Sequence, residues 1–524
     1  MNVATLASRT FGAQDQALFA RLSGDVNPIH MDPLAARRTN AGLPIVHGVH
    51  GALWALDQLV EARVVTTVPA SLKVRFARFI YVGSAVELRI VHRDEKSVRA
   101  DITLGGLTAT TLILTHGVPR KTEKAAGLVS RVTTPASDEP AAWVDLAQLT
   151  ELSGRMDITD SLERIDEKFP HLASVFGIER TAAIALLSRL VGMICPGLHS
   201  LFAAFALEFV ESPHGETGVE FAISKTDPRF RLIQMNISGC GVRGSVDAFL
   251  RWPPIKQPSL VDIMKIVAPG EFAGSTALII GGSRGLGALT AKVIAAGSGK
   301  VIITYATGEM DATQLMEEIR IQVGQNACRA LQYDARKSAG DQLRTLTEGV
   351  SHLYYFATPS IYRQKEALFV SSLFDEFVQV YVKGFYDCCH ALAGQGPQGL
   401  TAFYPSSVFV EQNPLALVEY SMAKLAGESL SSAMNRAADS IRVIVERLPR
   451  LLTDQTATVP PVSNGDPLEV MLPIIRNVQT AGTLPKSPKE LTRANSGAAS
   501  PASDAPPPPS NGKASSTMRI SDAV

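Results

Sequence analysis

The order of apolar and polar positions divides the chain into four blocks. Residues 1–117 begin with a helix-like segment (Gln14–Leu22), a polar loop and a longer apolar helix over about 49–63. Four strand-like runs follow: SLKVRFARFIYV, AVELRIVHR, VRADITLGG and TATTLILTHG. Residues 118–143 are rich in Lys, Thr, Ser, Pro and Ala without periodicity and read as a linker. Residues 144–255 repeat the first succession, with a helical stretch near 178–195 and then LFAAFALEFVE, GVEFAISK, RFRLIQMNISG and GSVDAFLRW; this reads as a diverged structural repeat. Residues 268–482 alternate short apolar runs (TALIIGG, KVIITYA, ACRALQYD, SHLYYFA, LTAFYPSS, IRVIVERL) with helical segments, the pattern of a doubly wound α/β sheet. The end, 483–524, contains APPPPSNGKASS and few large apolar residues, so disorder is expected there.

Composition narrows the class. A chain of 524 residues, 46% hydrophobic and 19% charged, needs more than one core and is that of a globular enzyme. Fifty basic and fifty acidic residues give zero net charge, so no electrostatic drive toward nucleic acid or anionic lipid exists. The most apolar stretch, 181–210, contains Arg189, Pro196 and His199, which argues against a membrane span. The five cysteines (Cys195, Cys240, Cys328, Cys388, Cys389) form no CxxC pair and fit reduced thiols. The N-terminus lacks a basic run followed by an apolar core, so a cytoplasmic protein is expected.

The first candidate chemistry lies in LSGDVNPIH, residues 22–30. Asp25 and His30 share a loop stiffened by Gly24 and Pro28. A carboxylate and an imidazole at one site divide general-base and general-acid work, worth roughly 10²–10⁴-fold per proton transfer. The string LSGDVNPIHMDPLAA, followed by GLPIVHGVHG, resembles the MaoC-like (R)-specific enoyl-thioester hydratases over about residues 10–117. That resemblance implies a hotdog fold, a long helix wrapped by an antiparallel sheet, with 144–255 as a second, non-catalytic hotdog. It implies that Asp25 and His30 activate water and shuttle the proton, that Asn27 orders the loop at the substrate, and that the Gly48 N–H polarises the thioester carbonyl. A preorganised N–H at a helix start suits the last role, because proton transfer at the α-carbon needs a stabilised enolate oxygen. Asp32 reads as a helix-start residue, and His47 and His50 as structural or pocket-lining. The second block has no Asp-x-Asn-Pro-x-His string; shaping the acyl pocket and serving only in dimerisation are both open to it.

The second candidate chemistry begins at ALIIGGSRGLGALTA, where a strand runs into a helix. Gly281, Gly285 and Gly287 have the spacing of a phosphate-binding turn, with Ser283, Arg284 and Leu286 between them. Tyr420 and Lys424 lie one helical turn apart, and Ser407 precedes Tyr420 by thirteen residues. Together these resemble the short-chain dehydrogenase/reductases over about 272–482. The resemblance implies a nicotinamide cofactor, Tyr420 as proton donor, Lys424 as the cation that lowers its pKa and binds the ribose, and Ser407 on the substrate oxygen. It also assigns Asp334 to the adenine, and Ala357 and Thr453 to the cofactor. The second strand of this block (VIITYATGE) has no Asp at its tip and Arg284 stands in the turn, so NADP(H) is favoured over NAD(H). Three departures from the family stand out: YFAT (Tyr355–Thr358) after the fourth strand, Tyr381 at the position of a helix asparagine, with Lys383 nearby, and Pro449-Arg450 before Thr453.

The two resemblances share an intermediate. A 3-oxoacyl-thioester reductase makes 3-hydroxyacyl thioesters, which a MaoC-like hydratase interconverts with trans-2-enoyl thioesters. The expectation is a bifunctional, self-associating enzyme on acyl-CoA or acyl-carrier-protein substrates, with no metal assigned at either site. A hydratase or acyl-thioester-binding protein with a degenerate, nucleotide-holding reductase is the alternative, and an unrelated ketone or sugar as the reductase substrate is a third.

Overall fold

The structure is a computed structural model that describes residues 5–119, 132–133, 141–142, 152–211, 216–362, 368–393, 399–437, 440–459 and 461–481. The expected tail, 483–524, and most of the expected linker, 118–143, lie outside the described residues.

The first eleven strands are β1 Thr5–Thr10, β2 Ser71–Phe76, β3 Ala85–Arg93, β4 Ser97–Leu104, β5 Leu107–Thr115, β6 Val132–Thr133, β7 Ser153–Asp157, β8 Ser200–Phe209, β9 Gly218–Asp227, β10 Leu232–Gly239 and β11 Val242–Leu250. They form one sheet in the order β1-β3-β4-β5-β2-β8-β11-β10-β9-β7-β6. Read outward from the β2–β8 pair, the two sides match: β2, β5, β4, β3, β1 against β8, β11, β10, β9, β7. Each side therefore repeats the same strand order. The sides join through antiparallel pairing from Ser71↔Glu208 to Arg75↔Ala204.

Each half carries a central helix. The first, Gly48–Glu61, is buried almost all round because it packs against the helices Pro170–Phe176 and Ile178–Arg189 of the other half as well as its own sheet. That accounts for a helix apolar on every face, without the single stripe of a surface helix. The second, Ile178–Arg189, widens at its end into a π turn, Leu190–Ile194. One hydrophobic cluster runs through both halves, from Phe11 to Leu250. Elements the sequence did not announce are β1, whose residues are all partly exposed, β7, and the helices Thr159–Lys168 and Pro170–Phe176.

The remaining strands are β12 Thr276–Ile280, β13 Lys300–Tyr305, β14 Cys328–Gln332, β15 His352–Tyr355, β16 Leu400–Ser407 and β17 Ile441–Leu448. They form a parallel sheet in the order β14-β13-β12-β15-β16-β17, with a separate hydrophobic core on each face. The six apolar runs of the sequence are these six strands. Their order reverses between β12 and β15, the point at which a doubly wound sheet opens a crevice for a ligand. The segment leaving β11 is tied to the loop after β17: Ile255 N–H donates to Asp454 Oδ1 (2.7 Å) and Gln257 donates to the Leu452 carbonyl (3.3 Å). All five cysteines are buried and free of disulfides, and no described helix is long and apolar enough to cross a membrane.

Pairing of β2 with β8 has a direct consequence. A fragment of residues 1–117 presents the β2 edge unpaired and should self-associate through it, whereas 1–255 should melt cooperatively as a monomeric unit. Size-exclusion and thermal melts check this; a monomeric 1–117 as stable as 1–255 contradicts it.

Candidate active sites

The LSGDVNPIH loop is shaped by local constraints. Gly24, at φ +72°, ends the helix Ala13–Ser23 in the left-handed conformation. Asn27 caps the turn Pro28–Met31, its Oδ1 accepting from Ile29 N–H (3.1 Å), and Pro28 fills the first helical position. Asp32 caps the next turn through Leu34 N–H (2.7 Å), the helix-start role read from the sequence. Asn27, expected to order the loop, also ties the two halves together: its Nδ2 donates to the carbonyls of Gly192 (2.7 Å), Gly197 and Leu198 (both 3.3 Å). A side chain whose acceptor and donors are bound to backbone holds the loop in place.

Asp25 and His30 meet in one cavity. Ligand atoms of Asp25, His30 and His47 lie within 4.8 Å of one another. Asp25 is 2% exposed, and burial raises its pKa. The charge of His30, the Ser188 hydroxyl and the Asn27 N–H oppose that rise. Ser188 Oγ donates to Asp25 Oδ2 at 2.6 Å, across 163 residues of sequence. His30 Nδ1 lies 2.7 Å from the Ile45 carbonyl. As a donor there, Nδ1 leaves the Nε2 lone pair available for a proton. Burial lowers the His30 pKa, with Asp25 acting in the opposite direction. His47 stacks on His30 at 3.8 Å and donates from Nε2 to the Asp25 carbonyl (3.0 Å), holding both partners in place. His50 is buried against Phe11 and Phe19, outside the cavity.

Gly48 opens the first central helix and lines the same cavity, so its N–H belongs to a turn whose donors have no intrahelical acceptor. The far wall comes from the second half: Ser188, Val191, Gly192, Ser200, Leu201 and Phe202. Gly192 is essential to this fit, because a Cβ there would overlap the Asp25 carboxylate. The π turn and its glycine therefore bring the second half's backbone directly against Asp25.

The glycine turn lies at the crevice between β12 and β15. At Gly281 (φ +74°) a Cβ would press on Phe356 C and Ala357 N, at 2.9 and 3.0 Å, and at Gly287 it would overlap the Gly281 carbonyl. Gly285 (φ +56°), at the head of the twelve-residue helix Gly285–Ala296, faces open space. A tight turn with an open helix head fits a dinucleotide pyrophosphate. Ser283 and Leu286 occupy the turn and the first helical turn, as expected. Other expected cofactor contacts are engaged within the protein. Asp334 is held by Arg336 (2.8 and 2.9 Å), and Thr453 Oγ1 lies 3.1 Å from Thr456 Oγ1. Arg284 Nη1 donates to the Arg37 carbonyl (2.7 Å) and to Asp454 Oδ2 (3.2 Å).

Tyr420 and Lys424 share the buried face of the helix Val418–Ala437. Burial raises the Tyr420 pKa, opposed by its hydrogen bond with Ser407. Lys424 Nζ donates to the Pro405 carbonyl (2.6 Å) and lies 4.0 Å from the Tyr381 ring centre and 4.9 Å from that of Tyr404. Burial lowers its pKa to about 7. Tyr381 belongs to the π-helical segment Gln379–Gly384, and its hydroxyl pairs with Thr358 Oγ1 at 2.5 Å. Two of the three departures noted in the sequence, at Thr358 and Tyr381, are thus bonded to each other beside Lys424.

Residues 1–111 match the family described as "MaoC like domain", and residues 275–461 match "short chain dehydrogenase". The (R)-specific enoyl-CoA hydratase of Aeromonas caviae is 32% identical over 117 residues, covering 21% of this chain and 79% of that protein. The chain belongs to the MaoC-like family. It also carries a short-chain dehydrogenase domain, which binds a nicotinamide cofactor. Solved structures similar to that domain include a Serratia marcescens short-chain dehydrogenase/reductase (20% identity, TM-score 0.37, covering 41% of this chain and 95% of that one). A 3-oxoacyl (acyl-carrier-protein) reductase from Agrobacterium tumefaciens C58 with NADP bound is another (18%, 0.36, 41% and 92%).

Sequence reading missed Ser188 and Gly192 of the MaoC-like site. They sit in an apolar helix without a motif, and only the meeting of the two halves gives them a role. Ser188→Ala should slow hydration roughly tenfold, the scale of a hydrogen bond to a charged group. It should also move the acid limb of the pH–rate profile to higher pH, because the Ser188 hydroxyl holds the Asp25 pKa down. Hydration kinetics against pH check this; an unmoved limb contradicts it.

Proposed function

We propose that the chain carries out two consecutive reactions on acyl thioesters of CoA or an acyl-carrier protein. The short-chain dehydrogenase site reduces 3-oxoacyl to 3-hydroxyacyl thioesters, and the MaoC-like site interconverts (3R)-hydroxyacyl and trans-2-enoyl thioesters. The observation that carries the reading is the convergence of Asp25, His30 and the Gly48 helix head on one cavity.

In hydration, the Asp25/His30 pair takes a proton from water as the water oxygen bonds to C3. The C2=C3 electrons move toward the thioester oxygen, which the Gly48 N–H stabilises as the enolate. The pair then returns the proton to C2, so one water adds across the double bond. Ile29, Phe76, Val191, Leu201 and Phe202 give the acyl chain an apolar wall.

For reduction, the glycine turn, Tyr420 and Lys424 would hold a nicotinamide cofactor, which would supply the hydride for C3. Tyr420 gives the carbonyl oxygen its proton and Ser407 holds that oxygen by a hydrogen bond. NADP(H) is assigned over NAD(H) because β13 ends in Tyr305 with no acidic residue at its tip and Arg284 stands in the glycine turn. One observation favours a second reading, in which this domain holds nucleotide and reduces slowly. With its pKa near 7, Lys424 keeps its charge below that pH and loses it above, and a neutral lysine no longer lowers the Tyr420 pKa.

Two variants separate the sites. Asp25→Asn should lower crotonyl-CoA hydration at least a hundredfold and leave NADPH-dependent reduction of acetoacetyl-CoA intact, while Tyr420→Phe should do the reverse. Loss of both activities in either variant contradicts two independent sites, and absence of reduction in the parent chain selects the second reading.

A further inference from the structure

The loop after His30 reaches the reductase domain beside its crevice. Seven residues after His30, Arg37 donates from Nη1 to Thr307 Oγ1 (3.0 Å) and from Nη2 to Asp311 Oδ2 (2.6 Å). A Cβ on Gly308 would overlap the Arg37 guanidinium. Thr307 and Gly308 follow directly after β13, at the position where a dinucleotide-binding sheet meets the adenosine ribose. Arg37 also accepts Arg284 of the glycine turn on its own carbonyl (2.7 Å). It thus bridges the two segments, the glycine turn and the end of the second strand, that flank the ribose 2′ position in this fold.

The charges are unbalanced. Those acting on Arg284 are Arg37, Arg38, Asp454 and Asp311, so three guanidiniums face two carboxylates, and Asp311 is shared by Arg37 and Arg38. Arg37 Nε is buried and has no hydrogen-bond partner among the described residues. A shared acid, an unused buried donor and an excess of one positive charge describe an anion site short of its anion.

We propose that Arg37, carried by the MaoC-like half, binds the 2′-phosphate of NADP(H), so that the hydratase part of the chain completes the cofactor pocket of the reductase. This rests on the NADP(H) reading of the dehydrogenase domain. A phosphate there takes the place of Thr307 Oγ1 on the Arg37 fork, with Asp311 still paired to Arg38. NADH, lacking that group, forgoes the contact.

The test is direct binding to the full chain, with NADPH and NADH titrated separately into the parent, Arg37→Gln and Arg37→Lys. The parent should prefer NADPH. Arg37→Gln should weaken NADPH by about tenfold to a hundredfold, the scale of one charge-assisted contact, and leave NADH within about twofold. Arg37→Lys, which keeps the charge but not the fork, should fall between. Retained NADPH preference in Arg37→Gln, or equal weakening of both nucleotides, overturns the proposal. A parent that binds both nucleotides equally overturns the NADP(H) reading itself.

Discussion

The carboxylate of Asp25 is buried where two halves of one sheet meet, and much of the architecture answers to that burial. A carboxylate removed from water must be hydrogen-bonded or it protonates. Its partners come from both sides: the Asn27 N–H from its own loop and the Ser188 hydroxyl from the other half. Gly192 supplies the space and the Asn27 amide fastens the loop to the same π turn. Pairing of β2 with β8 sets these groups opposite one another. The second half has no acid/base string of its own, yet the first half's acid/base pair is complete only against it.

The parts legible in the sequence are those whose constraints are local. In LSGDVNPIH, Gly24 ends a helix, Asn27 caps a turn and Pro28 starts it, so the string itself carries its structure. The parallel strands were legible because burial on both faces makes each a continuous apolar run. β1, TLASRT, was not, since an edge strand with every residue partly exposed has no apolar face to show. Ser188 and Gly192 were illegible for a different reason: their partner is more than 160 residues away, and nothing near them in the chain requires a serine or a glycine.

The dehydrogenase domain shows the same division. Its glycine turn and Tyr420–Lys424 spacing are local and were read correctly as elements. The aromatic surroundings of Lys424 come from Tyr381 and Tyr404, on two other elements, and lower the cost of holding the ammonium away from water. Arg284, in the glycine turn, reaches the MaoC-like half through the Arg37 carbonyl. Contacts between parts that fold on separate cores leave no pattern in either part's sequence. Here they link the loop after His30 to the glycine turn and to the chain after β13.

In the proposed function, one chain passes a shared 3-hydroxyacyl intermediate between two chemistries. The most direct measurement supplies the intact chain with acetoacetyl-CoA and NADPH and follows nucleotide oxidation together with the acyl products. The expected result is NADPH consumption, (3R)-hydroxybutyryl-CoA and then crotonyl-CoA, in the ratio set by the hydration equilibrium. An accumulating (3S) product, or (3R)-hydroxybutyryl-CoA with no crotonyl-CoA formed from it, rules out a shared intermediate.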